Sequence, residues 1–270
     1  MTIRSLVTSV VGAALVVTAG PAHADESATD AIARYRELLQ DGNPADLWET
    51  RGETLWHEKR GPRKVSLEQC DLGKGPGAVK GAYAELPRWF ADAGRVMDLE
   101  TRLVHCMTTL QGFTLDEATH RKFGDGEKRS DLEALAAWIA SESRGMPVRA
   151  PLSHPAERAA YALGEKIFFH RGGPHDFSCA TCHSQTGRRI RLQELPNLTE
   201  APDAKKAFAT WPAYRVSQGE VRTMQWRMND CLRQQRFPEL QFGSEGAIAL
   251  ITYLSGKADG AVMDAPAIKR

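Results

Sequence analysis

Cys179-Ala180-Thr181-Cys182-His183 constrains this 270-residue chain more than any other segment. C-x-x-C-H is the attachment sequence for haem c. Two thiols at this spacing reach the two vinyl edges of one porphyrin, and the adjacent imidazole then falls under the iron. Two rival readings use the same cysteines. A thioredoxin-type C-x-x-C wants a strand before it and a helix after it, but Phe177-Ser178 and Ser184-Gln185-Thr186-Gly187 read as loop. A zinc site wants a second ligand pair at short spacing, and none lies nearby. The flanks suit a class I cytochrome c domain. Pro155–Phe169 holds a helix with Ala159, Ala160, Leu163 and Ile167 at helical spacing. Glu245–Leu254 forms an apolar helix stopped by Ser255-Gly256.

A covalent haem requires export, and the first 24 residues read as a leader. Arg4 gives a positive start, an apolar run spans Val10–Val17, and Pro21-Ala22-His23-Ala24 offers a cleavage site after Ala24. The run is shorter than the ~20 residues of a spanning helix. The expectation is a periplasmic, soluble mature protein with no membrane span. A net charge of +1 gives no argument for nucleic acid. Five cysteines in an exported chain leave an odd one after any pairing.

The chain also repeats itself. At a fixed shift of 112 residues Gly52-Glu53 falls on Gly164-Glu165, Gly61-Pro62 on Gly173-Pro174, Ser66 on Ser178 and Cys70 on Cys182. Leu67 then replaces Cys179, and Asp71 replaces the ligand His183. At a changed shift, Arg102…Cys106 aligns with Arg227…Cys231, each trailed by a phenylalanine (Phe113, Phe237), and an Asp131–Ser141 helix matches the terminal one. The reading is a mainly α chain of two tandem class I cytochrome c-like domains, the first without haem. Residues 25–148 form the first domain and 149–270 the haem domain, with 146–151 as linker. Cys70 and Cys106 would flank the vacated haem space, and a disulfide between them is expected in an oxidising compartment.

Cys231 is then left over, in the haem-bearing half. Thr223–Gln235 reads as a helix that sets Arg227 and Cys231 one turn apart on one face. Cys231 occupies the region of the distal iron ligand, with Met224 or Met228 as the alternative. Methionine raises a haem potential and suits a shuttle, whereas a thiolate lowers it. Arg227 is expected to lower the Cys231 pKa and to offer a planar fork to an oxyanion. Arg188, Arg189 and Arg191 follow the haem motif and Arg222, Arg233 and Arg236 flank Cys231, together suiting an anionic substrate or carrier.

A leader, tandem cytochrome domains, one C-terminal Cys-Ala-Thr-Cys-His and the downstream Arg227-Met-Asn-Asp-Cys231 resemble the SoxA family, in its mono-haem branch. That resemblance implies an L-cysteine S-thiosulfotransferase activity, in which thiosulfate is joined oxidatively to a cysteine of the SoxYZ carrier. It implies one haem c held by Cys179 and Cys182, with His183 and Cys231 as axial ligands. Cys231 maps onto the family's cysteine persulfide and Arg227 onto its substrate-contacting arginine. A SoxX cytochrome partner in a heterodimer would take electrons and pass them to a downstream cytochrome. Two rivals remain. One is an electron-transfer subunit of a periplasmic dehydrogenase with His/Met ligation. The other is a peroxidase-like protein, which the broken first motif disfavours.

Overall fold

Gly52 and Gly164 decide how the helices cross. A β-carbon on Gly164 would lie 2.0 Å from the Ala249 carbonyl oxygen, and one on Gly52 would lie 2.1 Å from that of Ala134. Only a bare Cα lets two helix backbones touch this closely. The computed structural model describes residues 28–38, 42–119, 131–190 and 193–269. The leader with its site after Ala24, and Arg191, lie outside them.

The first half contains α1 (Ala28–Leu38), α2 (Asp46–His57), the hairpin β1 (Arg88–Phe90) and β2 (Arg95–Met97), α3 (Leu99–Cys106), α4 (Leu115–Thr119) and α5 (Asp131–Ser141). The second contains α6 (Pro155–Phe169), α7 (Cys179–His183), β3 (Arg189–Ile190), β4 (Gln193–Glu194), α8 (Ala201–Ala209), β5 (Ala213–Arg215), β6 (Glu220–Arg222), α9 (Met224–Gln234), α10 (Glu245–Lys257) and β7 (Ala267–Lys269). Helix α2 packs on α5, and α6 on α10. Trp138 and Tyr253 take the same place against the two glycines, each with its β-carbon 2.8 Å from where a β-carbon on the glycine would stand. No helix among the described residues is long and apolar enough to cross a membrane.

The two hairpins share one register. Arg88 faces Met97 and Phe90 faces Arg95, as Ala213 faces Arg222 and Arg215 faces Glu220, a shift of 125 residues. The same shift relates α3 to α9. Between the haem motif and α9 the second half is therefore 13 residues longer (125 against 112), and it uses that stretch for β3, β4 and α8.

Helix starts follow their caps. His154 accepts from the Ala156 amide, Pro155 opens α6, and the Glu157 carboxylate accepts from the His154 amide at 2.9 Å. Helix α10 runs past the expected stop, to Lys257. Gly256 serves packing instead, since a β-carbon there would meet the Tyr161 ring at 2.5 Å, and the left-handed turn comes at Gly260. The 146–151 connection is fastened rather than loose. Val148 donates to Ala261 at 2.7 Å, Met263 donates to Met146 at 2.9 Å, and Val148 is buried.

In the first half the centre is filled. Cys70 and Cys106 form a disulfide with Cα atoms 5.7 Å apart, as expected from the repeat. Leu67, in the place of Cys179, is fully buried beside Leu72 and Leu103. Asp71, in the place of His183, turns its carboxylate to the Gly73 and Gly75 amides (2.6 and 2.9 Å). Its carbonyl accepts from Arg102 Nε at 2.6 Å, and the Arg102 guanidinium also pairs with Asp92 and lies 4.1 Å over the Phe90 ring.

The halves meet at the N-termini of α3 and α9 through two hydrogen bonds that exchange under the repeat. Gln225 donates to Asp98 and Thr223 donates to Glu100, both at 2.6 Å. All four side chains are buried. Burial pushes the Asp98 carboxyl up and, with Asp98 adding repulsion, holds the Glu100 carboxyl well above the carboxylate range.

Candidate haem site

Helix α7 is the haem motif itself. Ser178 accepts from the Thr181 amide, and Thr181 Oγ1 accepts from the Ser178 amide at 3.0 Å. This reciprocal cap forces a turn of helix that places Cys179 and Cys182 on one side, with His183 next in line. Ser178 before the motif and residues 184–187 after it carry no regular element, as expected, so the helix is one turn long and lacks the following helix of a thioredoxin motif.

The two thiols and His183 line an open cavity whose remaining wall is largely apolar, including Ile167, Phe177, Leu195, Phe237 and Leu250. An apolar wall around a few polar groups suits a cofactor pocket. His183 Nδ1 lies 2.9 Å from the Pro196 carbonyl oxygen. An Nδ1–H donated there leaves Nε2 with its lone pair, the tautomer a metal-ligating histidine needs. Burial lowers the His183 pKa, Pro196 opposes this, and Arg227 adds to it, so the ring stays neutral. Burial, with some repulsion from Cys231, pushes the Cys179 thiol up to about 12. Two thiols, a histidine tautomer with a free Nε2 and an apolar wall together fit haem c.

Helix α9 brings Arg227 and Cys231 to the same cavity wall. Thr223 caps it and Gln235 ends it, as the sequence predicts. Met224 instead lines a separate cavity on the seam between the halves, with Leu99 and Phe208, and Met228 packs into the apolar core. Two turns of helix, about 10 Å, carry Met224 away from Cys231 although both share a face.

The expected lowering of the Cys231 pKa by Arg227 is present but outweighed. The net shift of the Cys231 pKa is upward: burial outweighs the lowering by Arg227, and Asp230 adds to the rise. The arginine acts in the expected direction but does not win. Nor do all the flanking arginines reach this site. Arg222 is buried at the seam, bonded to Glu133 and Glu220 and 5.1 Å from the Trp226 ring. Arg188 is exposed and bonded to Gln185, Arg189 is exposed, and Arg233 is held by Asp230. Sequence reasoning missed Asp230. This buried carboxylate accepts from Arg227 (3.1 Å), Arg233 (2.6 Å) and Gln234 (2.8 Å), and so fixes the guanidinium beside Cys231. Its signal was present as i,i+3 and i,i+4 partners on one helix. Pro196 carried none.

The SoxA/TsdA cytochrome c domain matches this chain twice, over residues 51–148 and 163–263, in register with the structural repeat. The L-cysteine S-thiosulfotransferase subunit SoxA of Hydrogenophilus thermoluteolus is 50% identical, covering 91% of this chain and 90% of that one. The chain belongs to the SoxA family. A SoxA of Hydrogenobacter thermophilus is 32% identical over 89% of this chain. The crystal structure of SoxXA from P. pantotrophus shares the fold, with a TM-score of 0.71 at 25% identity over 88% of this chain and 84% of that one. Membership makes this a haem c protein with a cytochrome c-like domain pair, as the repeat predicts.

Proposed function

We propose that this SoxA-family chain is the catalytic subunit of an L-cysteine S-thiosulfotransferase, joining thiosulfate oxidatively to a cysteine of the SoxYZ carrier. The observation that carries this reading is the placement of Cys231 and Arg227 on the wall of the cavity that holds Cys179, Cys182 and His183, with both methionines elsewhere. The names of the relatives support it. Cys179 and Cys182 would hold one haem c by thioether bonds, and His183 and Cys231 would bind its iron. A haem c bound there supplies an outlet for single electrons, toward a SoxX heterodimer partner and a downstream cytochrome.

The chain's own residues do the rest. Arg227, steadied by Asp230, holds the sulfonate oxygens of thiosulfate through its planar fork. The terminal sulfur of thiosulfate bonds to the Cys231 sulfur, which is a persulfide in this reading, with release of two electrons. The carrier thiolate then attacks that terminal sulfur and displaces the Cys231 sulfur. Net, a carrier thiol and thiosulfate give carrier S-thiosulfonate, one proton and two electrons. The first half, residues 25–148, carries no haem in this reading, and Cys70–Cys106 closes it. The haem half is 149–270, and the mature protein is periplasmic after cleavage at Ala24.

Cys231→Met tests the assignment. The variant should retain haem, gain the sulfur-to-iron absorption of His/Met ligation and lose carrier-dependent thiosulfate oxidation. Undiminished turnover would overturn the reading and favour a plain electron carrier. Mass spectrometry of the Cys231 peptide reports the added sulfur.

A further inference from the structure

Helix α9 presents one polar stripe to the haem cavity. Arg227, Cys231 and Gln235 follow one another at intervals of four residues, and all three line the cavity wall. Neighbours at this spacing stand about 5–6 Å apart at their β-carbons. Gln235 keeps the helical relation to Cys231 although it caps the helix, because its amide donates to the Cys231 carbonyl oxygen at 3.1 Å. The turn that follows holds it there. Arg236 takes a left-handed conformation (φ 54°) and its amide donates to the Arg233 carbonyl at 3.0 Å. The Phe237 amide donates to the Leu232 carbonyl at 2.9 Å, which closes the last turn of the helix.

Helical side chains leave the backbone tilted toward the N-terminus of their helix. The Gln235 side chain therefore starts back toward Cys231. The same tilt would carry Arg227 away from the sulfur, but Asp230, three residues later, accepts from its Nη1 at 3.1 Å and draws the guanidinium forward. The two side chains thus approach Cys231 from its two sides. Both have donors in hand. Among the described residues Arg227 donates to Asp230 alone, which leaves its Nε–Nη2 edge open. Gln234 also lines the cavity, but its amide is taken by Asp230 at 2.8 Å. The Gln235 carboxamide makes no hydrogen bond among the described residues, and the wall around it is largely apolar.

We propose that Gln235 is a second substrate-binding residue, its carboxamide donating to a sulfonate oxygen of the thiosulfate that Arg227 holds at Cys231. The proposal rests on the reading of Cys231 as the reactive sulfur. A guanidinium fork takes two of the three sulfonate oxygens. The third needs a donor from elsewhere, and a carboxamide offers two N–H groups without adding charge. The other acceptors open to Gln235 are the Cys231 sulfur and a haem propionate. Both act on the haem potential, and the test separates them from the substrate.

The experiment uses full-length holoprotein with Gln235→Leu and Gln235→Glu, assayed for carrier-dependent thiosulfate oxidation alongside the haem midpoint potential. Leucine removes the donor, and the loss of one hydrogen bond to a charged oxygen should raise KM for thiosulfate about tenfold, with kcat within about twofold. The potential should not move. Glutamate keeps the shape but sets an anion against the sulfonate, and should raise KM further than leucine does. An unchanged KM in the leucine variant overturns the proposal, as does a shifted potential at unchanged KM, which assigns the carboxamide to Cys231 or a propionate. Should the leucine variant not accumulate as holoprotein, the glutamate variant carries the test, and an unchanged KM there overturns the proposal. The Cys231→Met variant keeps the two failures apart. Undiminished turnover in that variant refutes the site reading itself, whereas its inactivity beside an unaffected Gln235→Leu enzyme refutes only the role of Gln235.

Discussion

Replacing Gly164 by alanine should destabilise the haem half, although glycine to alanine inside a helix is ordinarily worth about 1 kcal/mol in favour of alanine. The new β-carbon would stand 2.0 Å from the Ala249 oxygen, 2.6 Å from its carbonyl carbon and 2.8 Å from Tyr253 Cβ. All three belong to the backbone or root of α10, so no rotamer change relieves them. Helices α6 and α10 must separate by more than about 1 Å along their main contact, and overpacking of this kind costs about 1–3 kcal/mol. Set against the alanine gain, this leaves a net loss of up to about 2 kcal/mol, a fall of up to about 4–8 °C in Tm for a chain of this size. Urea unfolding of the holoprotein, followed by far-ultraviolet circular dichroism and by haem absorption, measures it. Gly246→Ala, one helix position where the nearest atom is the mobile Leu240 Cδ2 at 3.3 Å, is the control and should be neutral or stabilising. Equal stability of the two variants would refute the close-crossing argument.

Two further outcomes test the first half. Serine at both Cys70 and Cys106 opens a loop of sequence separation 36 and should lower stability by about 3–4 kcal/mol on the chain-entropy estimate, with haem content unchanged; loss of haem from the second half would contradict the division of labour. Glu100→Gln should gain stability relative to the parent as pH rises. The folded state holds the Glu100 proton more tightly than the unfolded chain, so the parent's stability falls from about pH 4.3 up through the raised folded pKa, and glutamine is free of that loss. Unfolding at pH 5 and pH 8 measures the difference, and an equal effect at both would sink the linkage.

Much of this was legible in the chain because it is local or repeated. The α5, α6 and α9 bounds follow from caps and apolar spacing, and the Cys70–Cys106 bond follows from an alignment of Cys70 with Cys182. What was not legible depends on distant partners. Arg222 reads as one more cation near Cys231, yet it sits one residue before the α9 cap and so faces Glu133 across the seam. Arg227 suggests a low thiol pKa, but the burial that reverses the sign comes from elements remote in sequence. Gly256 carries the mark of a helix end, and only the Tyr161 ring, almost a hundred residues earlier, gives it another purpose.

These distant contacts also bear on what the half without a C-x-x-C-H motif contributes. The N-terminus of α9, the helix that carries Arg227 and Cys231, is held from the first half. Glu100 accepts from Thr223 Oγ1 and from the Gln225 backbone amide, satisfying in trans an amide of the first helical turn. Gln225 donates to Asp98 and accepts from the Gly243 amide at 2.7 Å, which fixes the same turn from both sides. Asp98 in turn caps α3 through the Thr101 amide, and α3 is anchored at its far end by Cys106 in the disulfide. The chain of contacts runs from the disulfide along α3, across the buried carboxyls, to the turn that opens α9. Filling the first centre with Leu67, Arg102 and a covalent bond makes that half a stiff mount, and the position of Arg227 and Cys231 against the haem cavity is what it secures.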